Sequence, residues 1–301
     1  MAVFRMIISK ECVEKAKLLY MLFYDICISS IVVSVIVVAP VLFKCIECFV
    51  IYNLIRVVII VAENRNPVVV EMLQDCGGSG CTSALTIFAL ADNVHTSVIA
   101  KEDSAYRDVL NQAAFVFSDG KPVAFLQQKS GIVGAERVAG PDFMQHMFRN
   151  TQDGSVSHFF YGSSQETIDS LRKKLTAKYP GINIAGMYSP PFRPLTKEED
   201  EAAIEMINSS GADIVWIGLG APRQEKWMNA HKGVIKGVMM GVGAGFDFHA
   251  GTIKRAPYWI QKVGLEWLYR LTQDPKRLFK RYIVTNAKFV WYLIWGNGKK
   301  E

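Results

Sequence analysis

Short apolar runs that break off at glycine or at a small polar residue recur through the middle of this chain, and they restrict its fold more than any other feature. Ala84–Ala91 stops at Asp92-Asn93, Phe115–Phe117 at Ser118-Asp119-Gly120, and Phe159–Tyr161 at Gly162-Ser163. Ile182–Met187, Ile214–Leu219 and Val234–Val242 behave alike, ending near Ser189-Pro190, Gly220-Ala221-Pro222 and Gly243-Ala244-Gly245. Between them, Val94–Ala113, Gln165–Tyr179 and Lys197–Ser209 have helical spacing. Uninterrupted apolar strands alternating with helices predict an α/β fold, a mainly parallel Rossmann-like sheet with helices on both faces. In such sheets ligands sit beyond the carboxyl ends of the strands. The residues at the breaks are therefore the candidates for chemistry.

Asp119 stands at one of these breaks, where a carboxylate can meet a substrate and Gly120 leaves room beside it. Taken alone it reads as an Asp-Gly turn. Arg137 follows Glu136, and by itself reads as half of a surface ion pair. Gln224 and Glu225 open a helix after Pro222. Helix capping and hydrogen bonding to a sugar or base account for Gln224 equally well. Glycines at several strand ends (Gly162, Gly218, Gly220, Gly241, Gly243, Gly245) suggest a backbone-lined cleft for a nucleotide or phosphate. Gly241-x-Gly243-x-Gly245 has the look of a dinucleotide fingerprint, but Phe246–Gly251 starts no convincing helix and no acid follows at the required distance. The five histidines lack ligand spacing, and no Asp-x-Asp occurs. No metal or other cofactor is expected. Ser118 and Ser189 lack a nucleophile-elbow context, which excludes covalent catalysis of that kind.

Charge and hydropathy are unevenly spread along the 301 residues. No charged side chain lies between Ile26 and Phe43, and the apolar character resumes from Cys48 to Ala62. Such a run approaches the ~20 residues needed to cross a bilayer. With Pro40 inside it, residues 1–65 predict a membrane anchor, either two spans or a helix–Pro–helix hairpin. Six cysteines all fall within the first 81 residues without completing a zinc pattern. Residues 66–82 read as a linker, 83–250 as the α/β core and 251–301 as a basic appendage. From Gly251 to Glu301 there are eleven of the 34 lysines and arginines but only three of the 28 acids. Arg277, Lys280 and Arg281 share one face of a helix after Pro275, beside Trp and Leu. That pattern favours a lipid interface over nucleic acid.

The motifs together are more specific than any one of them. ADNVH, NQAAFVFSDGKPV, ERVAGPDF, FFYGSS, GMYSPPF, WIGLGAPRQEKW, GVGAGFDFHAGTIKRAPYW and GLEWLYRLTQDPKRLFKRY, in that order, closely resemble the WecG/TagA/CpsF family of bacterial glycosyltransferases. Tyr20–Pro40 also loosely resembles the membrane hairpin of polyprenyl-phosphate sugar-1-phosphate transferases. The first resemblance implies an inverting, metal-independent hexosyltransferase. It would move N-acetylmannosamine, its uronate or glucose from a UDP donor to a polyprenyl-diphosphate-linked saccharide, in polysaccharide or teichoic acid assembly. It implies Asp119 as general base, Asn93 as an active-site polar residue, Arg137 as support for the donor or leaving group and Gln224 as a substrate contact. Glu225, Gly162 and Gly218 join them as candidate contacts from their places at the helix start and the strand ends. Arg270, Arg277 and Arg281 (or Lys280) would belong to a tail closing the site at the cytoplasmic face of the membrane, in a chain free to form a homo-oligomer or assembly complex. Ala91 replaces the family's usual threonine, and the apolar segment replaces its first strand and helix. The alternative is thus a catalytically impaired membrane scaffold for nucleotide sugars or partner transferases.

Overall fold

The computed structural model describes residues 88–295 apart from 131, 133 and 134. Six strands, β1 (Phe88–Asp92), β2 (Phe115–Ser118), β3 (Ser157–Gly162), β4 (Asn183–Tyr188), β5 (Ile214–Gly218) and β6 (Val238–Gly241), form one sheet in the order β2-β1-β6-β5-β3-β4. Every pairing is parallel. The parallel α/β sheet is therefore as expected. The helices are α1 (Val94–Glu102), α2 (Ser104–Asn111), α3 (Lys121–Lys129), α4 (Gly140–Asn150), α5 (Gln165–Lys178), α6 (Lys197–Ser209), α7 (Arg223–Ala230) and α8 (Gly245–Ala250) in the core. The appendage adds α9 (Tyr258–Lys262), α10 (Glu266–Gln273) and α11 (Pro275–Trp295).

Successive strand residues point to opposite faces, and the core divides accordingly. On one face Phe88, Leu90, Phe159, Tyr161, Val215, Ile217 and Met239 pack with Ala203 and Ile207 of α6 and Met228 of α7. On the other, Phe148 of α4 meets the rings of Trp216 and Phe160 at 5.6 and 5.9 Å, and Phe246 of α8 meets Phe160 at 5.6 Å. In β5, Ile214, Val215, Trp216 and Ile217 are all fully buried. That explains why the strand reads as an unbroken apolar run rather than an alternating one.

Four local expectations are revised. The helical stretch 94–113 is two helices, because Asp103 adopts an extended conformation and its carboxylate caps α2 by accepting from the Tyr106 amide at 3.1 Å. The strand expected over 234–242 begins only at Val238. Gly233 turns at φ 83, and the Ile235 amide returns to the His231 carbonyl. Phe246–Ala250 does form a short helix, closed by Gly251 in the left-handed region. Helices α3 and α4 are additions to the expected elements, and each carries a proline in its first turn. Among the described residues no helix is long and apolar enough to cross a membrane. The anchor and linker expected over 1–82 lie outside the described residues.

Phe148 is fully buried and also faces His158, Tyr179 and His249. Phe148→Ala is expected to lower stability by about 3–5 kcal/mol, read as a shift in the urea midpoint with an unchanged slope.

Candidate active site

β1 and β2 are paired with Asp92 opposite Ser118, so Asn93 and Asp119 leave the sheet side by side. The Asp119 amide donates to the Asp92 carbonyl at 2.8 Å, continuing the ladder one residue past the strand. Gly120 then starts α3, and a Cβ placed on it would come within 3.9 Å of Asn93. The two turns touch.

The half-buried Asp119 carboxyl is the centre of the charged cluster. Loss of hydration pushes it up to about 6; Arg137, Arg270 and Arg255 pull it down, and Glu266 pushes it up. Arg137 arrives on residues 135–139, a segment tied to β2 by the Val138 amide donating to the Ser118 carbonyl at 2.8 Å. Its Nε donates to the main-chain carbonyl of Asp119 at 2.8 Å, and its Nη2 donates to the Glu266 carboxylate. Glu266 opens α10 and also accepts from Arg255 Nε at 3.3 Å. Arg255 grips Asp142, at the start of α4, with its outer nitrogens. Arg270 is four residues after Glu266, its guanidinium 5.5 Å from the Phe248 ring centre. Its Nε is buried and lacks a hydrogen-bond partner among the described residues.

The other expected residues divide. Arg281 of α11 faces α1, where burial and then its charge hold His95 below the usual imidazole range. Arg281 Nε and His95 Nδ1 are also buried without partners among the described residues. Arg277 turns instead to Asp274 at 2.6 Å and is 65% exposed, and among the described residues nothing ties it to the Asp119 cluster. Asn93 is the N-cap of α1. Its Oδ1 accepts from the amides of His95 and Thr96 at 2.9 and 3.4 Å, and Thr96 Oγ1 accepts from its own amide. Gln224 is buried with both ends of its amide engaged. Nε2 donates to Glu225 Oε1 at 2.8 Å, and Oε1 accepts from the Gly243 amide at 3.1 Å. The Glu225 carboxyl also faces the Tyr106 hydroxyl, and burial pushes it up.

The glycines at the rim serve close approach. Gly162 (φ +127) lies opposite Gly218 in the register, and a Cβ on it would sit 2.6 Å from the Gly218 carbonyl carbon. A Cβ on Gly218 would meet the Phe246 ring at 2.8 Å. Cβ atoms on Gly241 and Gly245 would strike Met228 and Met144 at 2.7 and 2.5 Å. The Gly243 amide is taken by Gln224, so this triplet is not a free phosphate cradle. Gly218 lines a cavity of about 350 Å³ with Tyr161, Phe192, Arg223 and Trp227. Trp227 is fixed there by stacking on Tyr161 at 4.6 Å and donating to Asp200 at 3.1 Å.

Two residues of the cluster, Glu266 and Arg255, were not singled out from sequence. The i,i+4 pair of Glu266 and Arg270 was the available signal, but on a helix it reads first as a surface pair. A carboxylate poised to accept a proton and ringed by guanidiniums at the strand ends suits proton abstraction with stabilisation of an anionic leaving group.

Residues 69–301 match the Glycosyl transferase WecG/TagA/CpsF family. An N-acetylglucosaminyldiphosphoundecaprenol N-acetyl-beta-D-mannosaminyltransferase of Staphylococcus aureus (strain MW2) is 29% identical over 197 residues, covering 65% of this chain and 76% of the relative. A Bacillus subtilis (strain 168) protein of the same name is 31% identical over 186 residues, 62% of this chain and 71% of the relative.

The raised Asp119 carboxyl has a stability consequence. Its folded value, about 6, exceeds the ordinary 3.8. The protonated side chain therefore costs nothing below pH ~4, and ionisation disfavours the fold once pH rises through 6. Asp119→Asn is expected to raise the melting temperature relative to the parent at pH 7–8 and to show no such gain at pH 4.

Proposed function

The chain belongs to the WecG/TagA/CpsF family of glycosyltransferases, and from that premise we propose that it moves an N-acetylmannosamine-type sugar from a UDP donor to a polyprenyl-diphosphate-linked saccharide. That it is a glycosyltransferase follows from the family. The donor and acceptor chemistry is carried over from the names of the relatives, which specify an N-acetyl-mannosaminyl group and a diphosphoundecaprenol-linked N-acetylglucosamine.

The observation that carries the mechanism is the Asp119 carboxyl, held near 6 among three guanidiniums and one carboxylate. At neutral pH it is ionised yet basic enough to take a proton from an alcohol as that oxygen attacks. The acceptor hydroxyl approaches Asp119, its oxygen bonds to the anomeric carbon, and the bond from that carbon to the UDP oxygen breaks on the opposite face. The configuration inverts, the proton ends on Asp119, and the new negative charge stays on the departing diphosphate. Arg270 and Arg281 meet that charge. Their Nε groups, buried without partners among the described residues, support the assignment, since a buried N–H without an acceptor is costly unless a ligand supplies one.

The cavity at Gly218 is the favoured seat for the uridine, because Phe192 lines it with an exposed apolar ring beside the Arg223 guanidinium. It lies at the ends of β5 and β3, three and four strand spacings from β2 in the sheet order, about 14–19 Å at the usual spacing. A nucleoside diphosphate sugar laid along the rim spans such a gap. A membrane-held acceptor suits the appendage, where Tyr258, Trp259, Trp291 and Trp295 are 79, 67, 61 and 66% exposed. Rings of this kind favour a bilayer interface, with the reaction on the cytoplasmic side where UDP-sugars are made. A scaffold would have no use for so basic a carboxylate, which supports the catalytic reading.

Asp119→Asn is expected to cut UDP release with a polyprenyl-diphosphate-linked N-acetylglucosamine acceptor by about 10²–10⁴-fold, with UDP binding by calorimetry nearly unchanged. Undiminished turnover in this variant would remove Asp119 as the base.

A further inference from the structure

Glu266 lies in the appendage, yet it is the carboxylate on which the cationic side of the site converges. It is 18% exposed and accepts from two guanidiniums, Arg137 Nη2 and Arg255 Nε. Arg137 holds the Asp119 main chain with its remaining Nε, and Arg255 holds Asp142 at the start of α4. One carboxylate thus links the segment after α3, the segment after α8, and α10. We propose that Glu266 is a positioning residue for the transfer reaction: it keeps Arg137 and Arg255 on its own carboxylate and so keeps both guanidiniums off the Asp119 side chain.

The argument rests on opposing charges. The charged groups facing Asp119 are Arg137 from residues 135–139, Arg255 from the stretch between α8 and α9, and Glu266 and Arg270 from α10. Glu266 alone among them is negative. Without it, three cations act on one carboxylate, which weakens the base. Two of them also lose their shared acceptor. Arg137 is then free to turn to the carboxylate of Asp119, whose carbonyl it already touches. A guanidinium in two-point contact with Asp119 would occupy the oxygens that the acceptor hydroxyl must reach. Glu266 therefore acts on the reaction through its neighbours and not by touching substrate.

This inference rests on Asp119 as the base, and the test separates the two claims. The pH dependence of kcat and of kcat/KM is measured on the full chain by UDP release, for the parent, Glu266→Gln, Glu266→Asp and Arg255→Gln. Thermal unfolding is followed alongside. Glu266→Gln keeps the shape and an acceptor oxygen but not the charge. It is expected to move the acidic limb of the profile down by about one pH unit and to lower the plateau kcat at least tenfold, with KM for the UDP-sugar less affected. Glu266→Asp is expected to restore the limb toward its parental position. Arg255→Gln removes a cation from Asp119 and leaves Glu266 less neutralised, so the limb should move the opposite way, toward higher pH. This second variant keeps the inference open to refutation should Glu266→Gln unfold. A limb that stays in place in Glu266→Gln, or in Arg255→Gln, overturns the positioning role and leaves Asp119 as base untouched. A limb that survives unaltered in Asp119→Asn overturns the base assignment instead.

Discussion

All six strands run the same way, and this constraint shapes everything above the sheet. Parallel strands must be joined by crossovers, so helices cover both faces and the strands themselves stay dry. Every strand then ends at the same rim. Helices α1, α3, α5 and α7 all begin there, directly after β1, β2, β3 and β5. Their positive dipole ends share the rim with the exposed turns. The fold thus gathers partial positive charge and open backbone at one edge before any side chain is chosen. An acid placed at that edge, as Asp119 is, meets an environment already inclined to hold an anion.

The side chains refine this into a balance. Burial makes the Asp119 carboxyl more basic, and the arginines around it make it less so. Too much of either defeats a base, since a protonated carboxyl cannot accept and a salt-bridged one will not. The core supplies the aspartate and Arg137. The appendage supplies charges of both signs one helical turn apart, Glu266 and Arg270, with Arg255 just before it. The appendage therefore acts electrostatically on the Asp119 carboxyl. Tyr292 and Lys288 of α11, both bound to Glu102 of α1 at 2.7 Å, help to hold that arrangement from the far end.

Much of this was legible in the chain. Apolar runs ending in glycine or small polar residues located every described strand, because a strand buried on both faces leaves its mark as unbroken hydrophobicity. Asp119 and Arg137 were visible as motif residues, and the structure joins them through the Asp119 carbonyl. What was hidden lay in pairings distant in sequence. Glu266 and Arg137 are 129 residues apart, and no local pattern announces such a contact. Helices α3 and α4 were hidden for another reason. Helix α3 is short, begins at a proline turn and buries only Val123 and Ala124, so its periodicity is weak. Helix α4, by contrast, buries Phe143, Met144, Met147 and Phe148 at helical spacing, and only its Gly-Pro opening reads as a loop. The glycines misled in detail, because Gly241 and Gly245 are required by Met228 and Met144 rather than by a ligand.

That last point bears on how a diphosphate would be held. A Rossmann rim commonly offers main-chain amides from its glycine loop. Here the Gly243 amide already bonds to Gln224, whose own amide is locked by Glu225. The loop after β6, in the middle of the sheet, is thereby closed off as a phosphate cradle. On the proposed reaction the countercharge for a departing diphosphate would then fall to side chains, and the Nε groups of Arg270 and Arg281, buried without partners among the described residues, lie on the appendage helices α10 and α11. A core that satisfies its own glycine loop must borrow its cations from elsewhere in the chain. The basic tail, with its eleven lysines and arginines, is the part of the sequence that provides them.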